Sequence, residues 1–316
     1  FCIMIEGVVT ILLSITIAAV LVFIYLFFIK KDLIVWLPKN VSMSANAFPA
    51  FIKALNKVLD SRYKQIYFDF SRVVDIDYEG YLVILALSER VFYKGKELKP
   101  CNIPLNKKIQ NVLFKNNKNR KVYHQSDPFP PLKADLYYKD DQNTPDVTYR
   151  VENELKKIDI RDYYEFNTMV SELVGNAIEH GIRHRAINWW MYHCKDYNTR
   201  AIKFVFVDMG IGIVDSYRKA GLPREHQKKS DDEILLLALN GVLGSSTKEP
   251  NRGRGLPQIR DMVEKNYISD FVLITNTVSL RYENGRFEQM LHQNFVGTYY
   301  SWTISKENFN LWQNRI

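Results

Sequence analysis

The sequence predicts an α/β protein with two domains behind an apolar N-terminal segment, and three observations carry that reading. Its 316 residues exceed what one core usually needs. Two short β-type runs, 33–37 (LIVWL) and 64–70 (KQIYFDF), bracket a helical pattern over 47–59. Further along, Phe166, Met169, Val170, Leu173, Val174, Ala177 and Ile178 recur at helical steps, and a series of strand candidates follows.

Composition supports a folded chain. With 47% hydrophobic and 13% aromatic residues the protein can bury a core, which excludes wholesale disorder. The net charge of +8 favours an anionic partner in principle. The densest basic stretch (Lys94, Lys96, Lys99, Lys107, Lys108, Lys115, Lys118, Arg120, Lys121) carries no nucleic-acid signature and reads as a solvated surface. Cys2, Cys101 and Cys194 lie far apart with no CxxC pair, so neither a disulfide framework nor a zinc cluster is supported and a reducing compartment fits.

Taken in order, residues 7–29 (GVVTILLSITIAAVLVFIYLFFI) carry no charge, and as a helix they would run roughly 35 Å at about 1.5 Å per residue, enough to span a bilayer. A cleaved signal peptide would have a basic start and a shorter apolar run, whereas the only charge ahead of this one is Glu6. Lys30 and Lys31 follow, so the positive-inside rule predicts a single-pass protein of the inner or plasma membrane with everything after residue 31 in the cytoplasm. A second helix is expected over 79–93, with Gly95 past its end. The stretch 116–150 is polar and rich in turn formers, with Pro128, Pro130 and Pro131, and marks a boundary. The expected organisation is a membrane anchor (1–31), a first α/β domain (32–130), and a second domain (131–316) opening on a linker at 131–150. In the second domain Gly181 is expected to end the first helix. Strands are expected at 186–193, 201–207, 271–276, 279–291 (with an Asn284-Gly285 turn) and 298–304, forming a mixed sheet under helices.

Three motifs carry chemistry. Glu172, Asn176 and His180 are spaced by four and share the polar side of the first helix. Strand 201–207 runs into Asp208-Met209-Gly210-Ile211-Gly212, a carboxylate at a strand end beside two glycines that permit close backbone approach; such a carboxylate can accept from a purine amino group. About forty residues later come Thr247, Lys248, Arg252, Gly253, Arg254, Gly255, Leu256 and Pro257 at the start of a helix. Free N–H groups and cationic side chains there suit a phosphate, and Pro257 suits the first helical turn.

These motifs resemble those of the GHKL superfamily of ATPases and kinases. SELVGNAIEHG is similar to its N box, DMGIGI to its adenine-binding box, GRGLP to its glycine box, and Gly297-Thr298 to its final strand, in the family's order over roughly 145 residues. The resemblance implies a Bergerat α/β sandwich that binds ATP and Mg²⁺, with a lid between Val214 and Asn251. It implies that Asn176 coordinates magnesium, that Glu172 orients or deprotonates the attacking group, and that Asp208 binds the adenine amino group. Gly210, Gly212, Gly253 and Gly255 would shape the pocket, Thr247, Lys248, Arg252 and Arg254 would grip the γ-phosphate, and Thr298 would contact the base side. Pro257 departs from the family, where many members have glycine. In the first domain, Asp69-Phe70-Ser71 and Val74 to Tyr81 resemble segments of STAS domains, the anti-sigma-factor antagonist fold, with Tyr78 where those proteins carry a phosphorylatable serine.

Residues 132–162 are too short for the dimerising hairpin of a histidine kinase and contain no His. The resemblance therefore implies a membrane-anchored, ATP-binding regulator of the partner-switching kinase kind, or an ATPase whose lid closure switches a protein interaction, or a non-catalytic scaffold. The partners expected are ATP and a protein whose identity the sequence does not fix, with homodimerisation left open and nucleic acid not expected.

Overall fold

The computed structural model describes residues 14–22, 32–114, 129, 136–139, 144–182, 189–196, 198–244 and 255–315. Of the apolar run 7–29 the described part, 14–22, is helical (α1). Among the described residues no helix is long and apolar enough to cross a membrane. That corrects the expected transmembrane helix, and the single-pass localisation built on it falls with it. Hydropathy reports the composition of a segment, and crossing a hydrocarbon core of about 30 Å also needs about 20 apolar residues in one continuous helix.

The first half is a small parallel sheet with helices. Strands β1 (Asp32–Trp36), β3 (Gln65–Asp69) and β5 (Glu97–Cys101) lie in the order β1-β3-β5, all parallel. Two short strands, β2 (Asn40–Val41) and β4 (Asp75–Ile76), pair beside them. Helix α2 (Phe48–Leu59) buries Phe48, Phe51, Ile52, Leu55 and Val58, the three-and-four stripe its sequence encodes. Helix α3 (Tyr78–Tyr93) starts where the Asp77 carboxylate accepts from the Gly80 N–H at 2.7 Å, and it is buried nearly all round, from Tyr81 through Leu87. Helix α4 (Lys107–Phe114) completes the half.

The second half is built on five strands in the order β6-β7-β8-β10-β9 (β6 Leu136–Lys139, β7 Trp189–Asp196, β8 Ala201–Asp208, β9 Ser269–Glu283, β10 Arg286–Ser305). Every pair in this sheet is antiparallel, and the parallel pairs belong to the smaller sheets. The three strands expected between 271 and 304 are two long ones joined at the expected Asn284-Gly285 turn. Helices α5 (Thr144–Lys156), α6 (Tyr164–Ile182), α7 (Ile213–Ala220), α8 (Asp231–Leu239), α9 (Gly255–Glu264) and α10 (Lys306–Gln313) complete the half. The stretch expected as linker holds β6 and the start of α5, and α6 continues through Gly181 to Ile182.

The two halves meet on the sheet. Along β8, Ile202, Phe204 and Phe206 join a core shared with α5–α10, whereas Val205 and Val207 join one shared with α2 and α3, as the two-residue period of a strand requires. The five-stranded sheet is thus covered by its own helices on one face and by the first half on the other.

Candidate functional site

Asp208 is the last residue of β8, an almost wholly buried strand, with Trp189 of β7 and Thr298 of β10 opposite it. It is only 9% exposed. Its Oδ1 accepts from the Gly210 N–H at 2.8 Å, and the Thr298 side chain and N–H also bond to it. Burial pushes its pKa up to about 6, while those hydrogen bonds and the Arg90 charge pull the other way. The turn has no room for a side chain at Gly297: φ is +115°, and a Cβ there would sit 2.0 Å from the Asp208 carbonyl oxygen. Strand β10 can press against the end of β8 at this point only because residue 297 is glycine.

Two residues that the sequence reading missed support the same turn. Helix α7 begins after Gly212, which offers no capping side chain. The cap comes from β9, across the sheet: Thr275 Oγ1 accepts from the Ile213 N–H at 2.9 Å and Asn276 Oδ1 from the Val214 N–H at 3.0 Å. Asn276 Nδ2 donates to the Ile211 carbonyl at 2.9 Å, and Thr275 Oγ1 to the Gly297 carbonyl at 3.2 Å. Both side chains are buried, and a Cβ at Gly212 would lie 2.3 Å from Asn276 Oδ1. Consecutive polar residues inside an apolar strand were the available signal.

On the helical side, Glu172 and Asn176 are half-buried one turn apart on α6. Gly255, the first residue of α9, lies against Glu172: a Cβ there would sit 2.9 Å from Glu172 Oε2. The carboxylate therefore stands at the positive end of α9, where the dipole favours it. Leu173 and Val174 of α6, Val214 of α7 and Leu256 of α9 share one core, so the three helices carrying the motifs lie over the same face of the sheet.

The expected site residues thus fall into two groups, Asp208, Gly210, Gly212 and Thr298 at the strand end, and Glu172, Asn176, Gly255 and Leu256 on α6 and α9. Thr247, Lys248, Arg252, Gly253 and Arg254 lie outside the described residues, as does the His180 side chain. Among the described residues no group of three or more His, Cys, Asp or Glu side chains could hold a metal by itself. Glu172 and Asn176 offer oxygen donors alone, which suits Mg²⁺, an ion that takes few protein ligands and completes its shell with phosphate oxygens and water.

The first half reaches this site too. Arg90 of α3 donates from Nη1 to the Gly210 carbonyl at 3.2 Å, and Glu89 accepts from Trp190 Nε1 at 2.9 Å. Comparison with known proteins finds no family model and no curated protein that matches the chain.

Proposed function

We propose that the second half binds ATP with Mg²⁺ in the manner of the GHKL superfamily, and that the protein is a nucleotide-dependent regulator of the partner-switching kinase kind. The observation that carries the reading is Asp208, a carboxylate buried at a strand end and held by Gly210 and Thr298, with Gly297 and Gly212 admitting the surrounding backbone. Among the described residues Asp208 makes no salt bridge, Arg90 countering its burial only through charge, and an adenine amino group is the donor such a buried carboxylate would use. In this reading Asn176 would hold the Mg²⁺ ion, which would supply positive charge to the phosphates, and Leu256 and Gly255 would close the pocket at the start of α9.

Isothermal titration of the full chain with ATP and Mg²⁺ tests it. The wild type should bind, and Asp208→Asn should bind about ten- to a hundredfold more weakly, the cost of a charge-assisted hydrogen bond. Equal affinity in the two proteins would remove Asp208 from base recognition. Kinase activity predicts transfer of labelled phosphate from ATP to a Ser or Thr of a partner protein.

The position of Glu172 favours a second reading, an ATPase that switches an interaction surface. Its carboxylate lies at the start of α9, where a γ-phosphate would come, and there it would activate water. Glu172→Ala would then retain ATP binding and lose phosphate release, whereas persistent turnover would take Glu172 out of that role. Binding with neither turnover nor transfer would leave a nucleotide-dependent scaffold.

A further inference from the structure

We propose that Arg90 is a positioning residue for base recognition, through which the docked first half holds the Asp208–Gly212 turn in its binding geometry. The inference rests on the nucleotide reading above and extends it to regulation. Arg90 lies on α3, 120 residues from the turn it touches, and its Nη1 donates to the Gly210 carbonyl at 3.2 Å. The N–H of that same residue donates to Asp208 Oδ1 at 2.8 Å. Fixing the carbonyl fixes the peptide orientation on one side of Gly210, and with it the approach of the amide on the other.

Stability alone accounts poorly for this arginine. Its guanidinium is largely desolvated, Nε is buried with no hydrogen-bond partner among the described residues, and its hydrogen bond to Gly210 is to a neutral carbonyl. What it does supply is positive charge beside Asp208, which together with the Gly210 and Thr298 hydrogen bonds opposes the effect of burial and favours the ionised form that can accept from an amino group. Among the described residues this pair also meets Thr298, which bonds to Asp208, Tyr300, whose hydroxyl burial and then Asp208 push up, and Lys94, which burial and then Arg90 push down. Separation of α3 from the sheet would remove both the charge and the hydrogen bond, so base affinity would report whether the first half is docked. By linkage, nucleotide should in turn strengthen docking.

The test compares full-length wild type, Arg90→Gln and Arg90→Lys. ATP affinity is read by titration calorimetry, the Asp208 carboxyl titration by carbon NMR, and protection of residues 78–93 by amide exchange with and without ATP. Arg90→Gln should bind ATP about tenfold more weakly, with the Asp208 titration moved upward and the ATP-induced protection of α3 lost. Arg90→Lys, which returns the charge, should bring the titration back toward the wild-type value. Wild-type affinity and an unmoved titration in a folded Arg90→Gln protein would overturn the role of Arg90 and leave the nucleotide reading standing. No binding by the wild type would overturn that reading and the inference together.

Discussion

The two faces of the five-stranded sheet are both buried, yet they are buried in different ways. On the face covered by α5–α10 the contacts are mainly apolar and aromatic: Phe204 stacks on Trp302 at 5.8 Å and 16°, and Phe166 packs on Phe204 at 5.3 Å, although His193 of β7 also meets Glu154 of α5 at 3.3 Å. The face covered by the first half has an apolar centre of Val205, Val207, Ile274, Phe295 and Tyr299, but charged hydrogen bonds run through it. Glu79 takes both the Lys203 ammonium and the Tyr299 hydroxyl, Glu89 takes the Trp190 indole, and Arg90 reaches Gly210. The first of these faces is stabilised chiefly by apolar packing, which sets little direction. Directional bonds on the other face fix where α3 sits along the strands, and they are the kind of contact a ligand at the strand end can strengthen or weaken.

The comparison breaks most visibly at Trp302, which is fully buried. Trp302→Ala should cost about 3–5 kcal/mol in urea unfolding, the usual cost of an aromatic cavity in a close-packed core. A loss under about 1 kcal/mol would mean that this face is not the stabilising one. The next effect has the opposite sign. The folded pKa of Asp208 is raised to about 6 from 3.8, so the folded state holds its proton through the range in which the unfolded chain has already released it. Wild-type stability therefore falls, on account of this group, as pH rises from about 4 to 6. Asp208→Asn should match the wild type near pH 3.5 and exceed it by about 2–3 kcal/mol at pH 8. Equal stability at pH 8 would show that the carboxylate is not desolvated.

Those two effects also mark what the sequence could reveal. Asp208 was legible because it ends a nearly continuous apolar run and is followed by glycines, both local patterns. The helices around Leu55, Leu85 and Val170 were legible for the same reason, since a stripe of period 3.6 needs no knowledge of its partner. Arg90 was not, because it sits near the end of a helix that is buried nearly all round, and its contact is a carbonyl 120 residues away. Thr275 and Asn276 cap a helix that starts about 62 residues earlier, so no capping signature could appear next to α7. Strands β9 and β10 looked like shorter pieces because register shifts between Leu291 and Phe295, and again before Thr298, interrupt the alternation. At the apolar run 7–29 hydropathy reports composition alone, which does not by itself establish a membrane-spanning helix.

The smallest effect probes the docking face itself. In Glu79→Gln the side chain keeps an oxygen that can accept from the Tyr299 hydroxyl, so the substitution removes charge and little else. The Lys203 side chain is 41% exposed and Glu79 20%, which places the pair partly in water and limits its worth to about 1 kcal/mol. Because the pair is partly exposed, the difference between wild type and variant should shrink as salt is raised to 1 M, where the screening length is about 3 Å. The same salt series on Trp302→Ala should leave its difference nearly unchanged, since no charge is involved. A salt-independent loss at Glu79 would mean that this face is held together as the other one is. The directional role assigned to its charges would then rest on Glu89 and Arg90 alone.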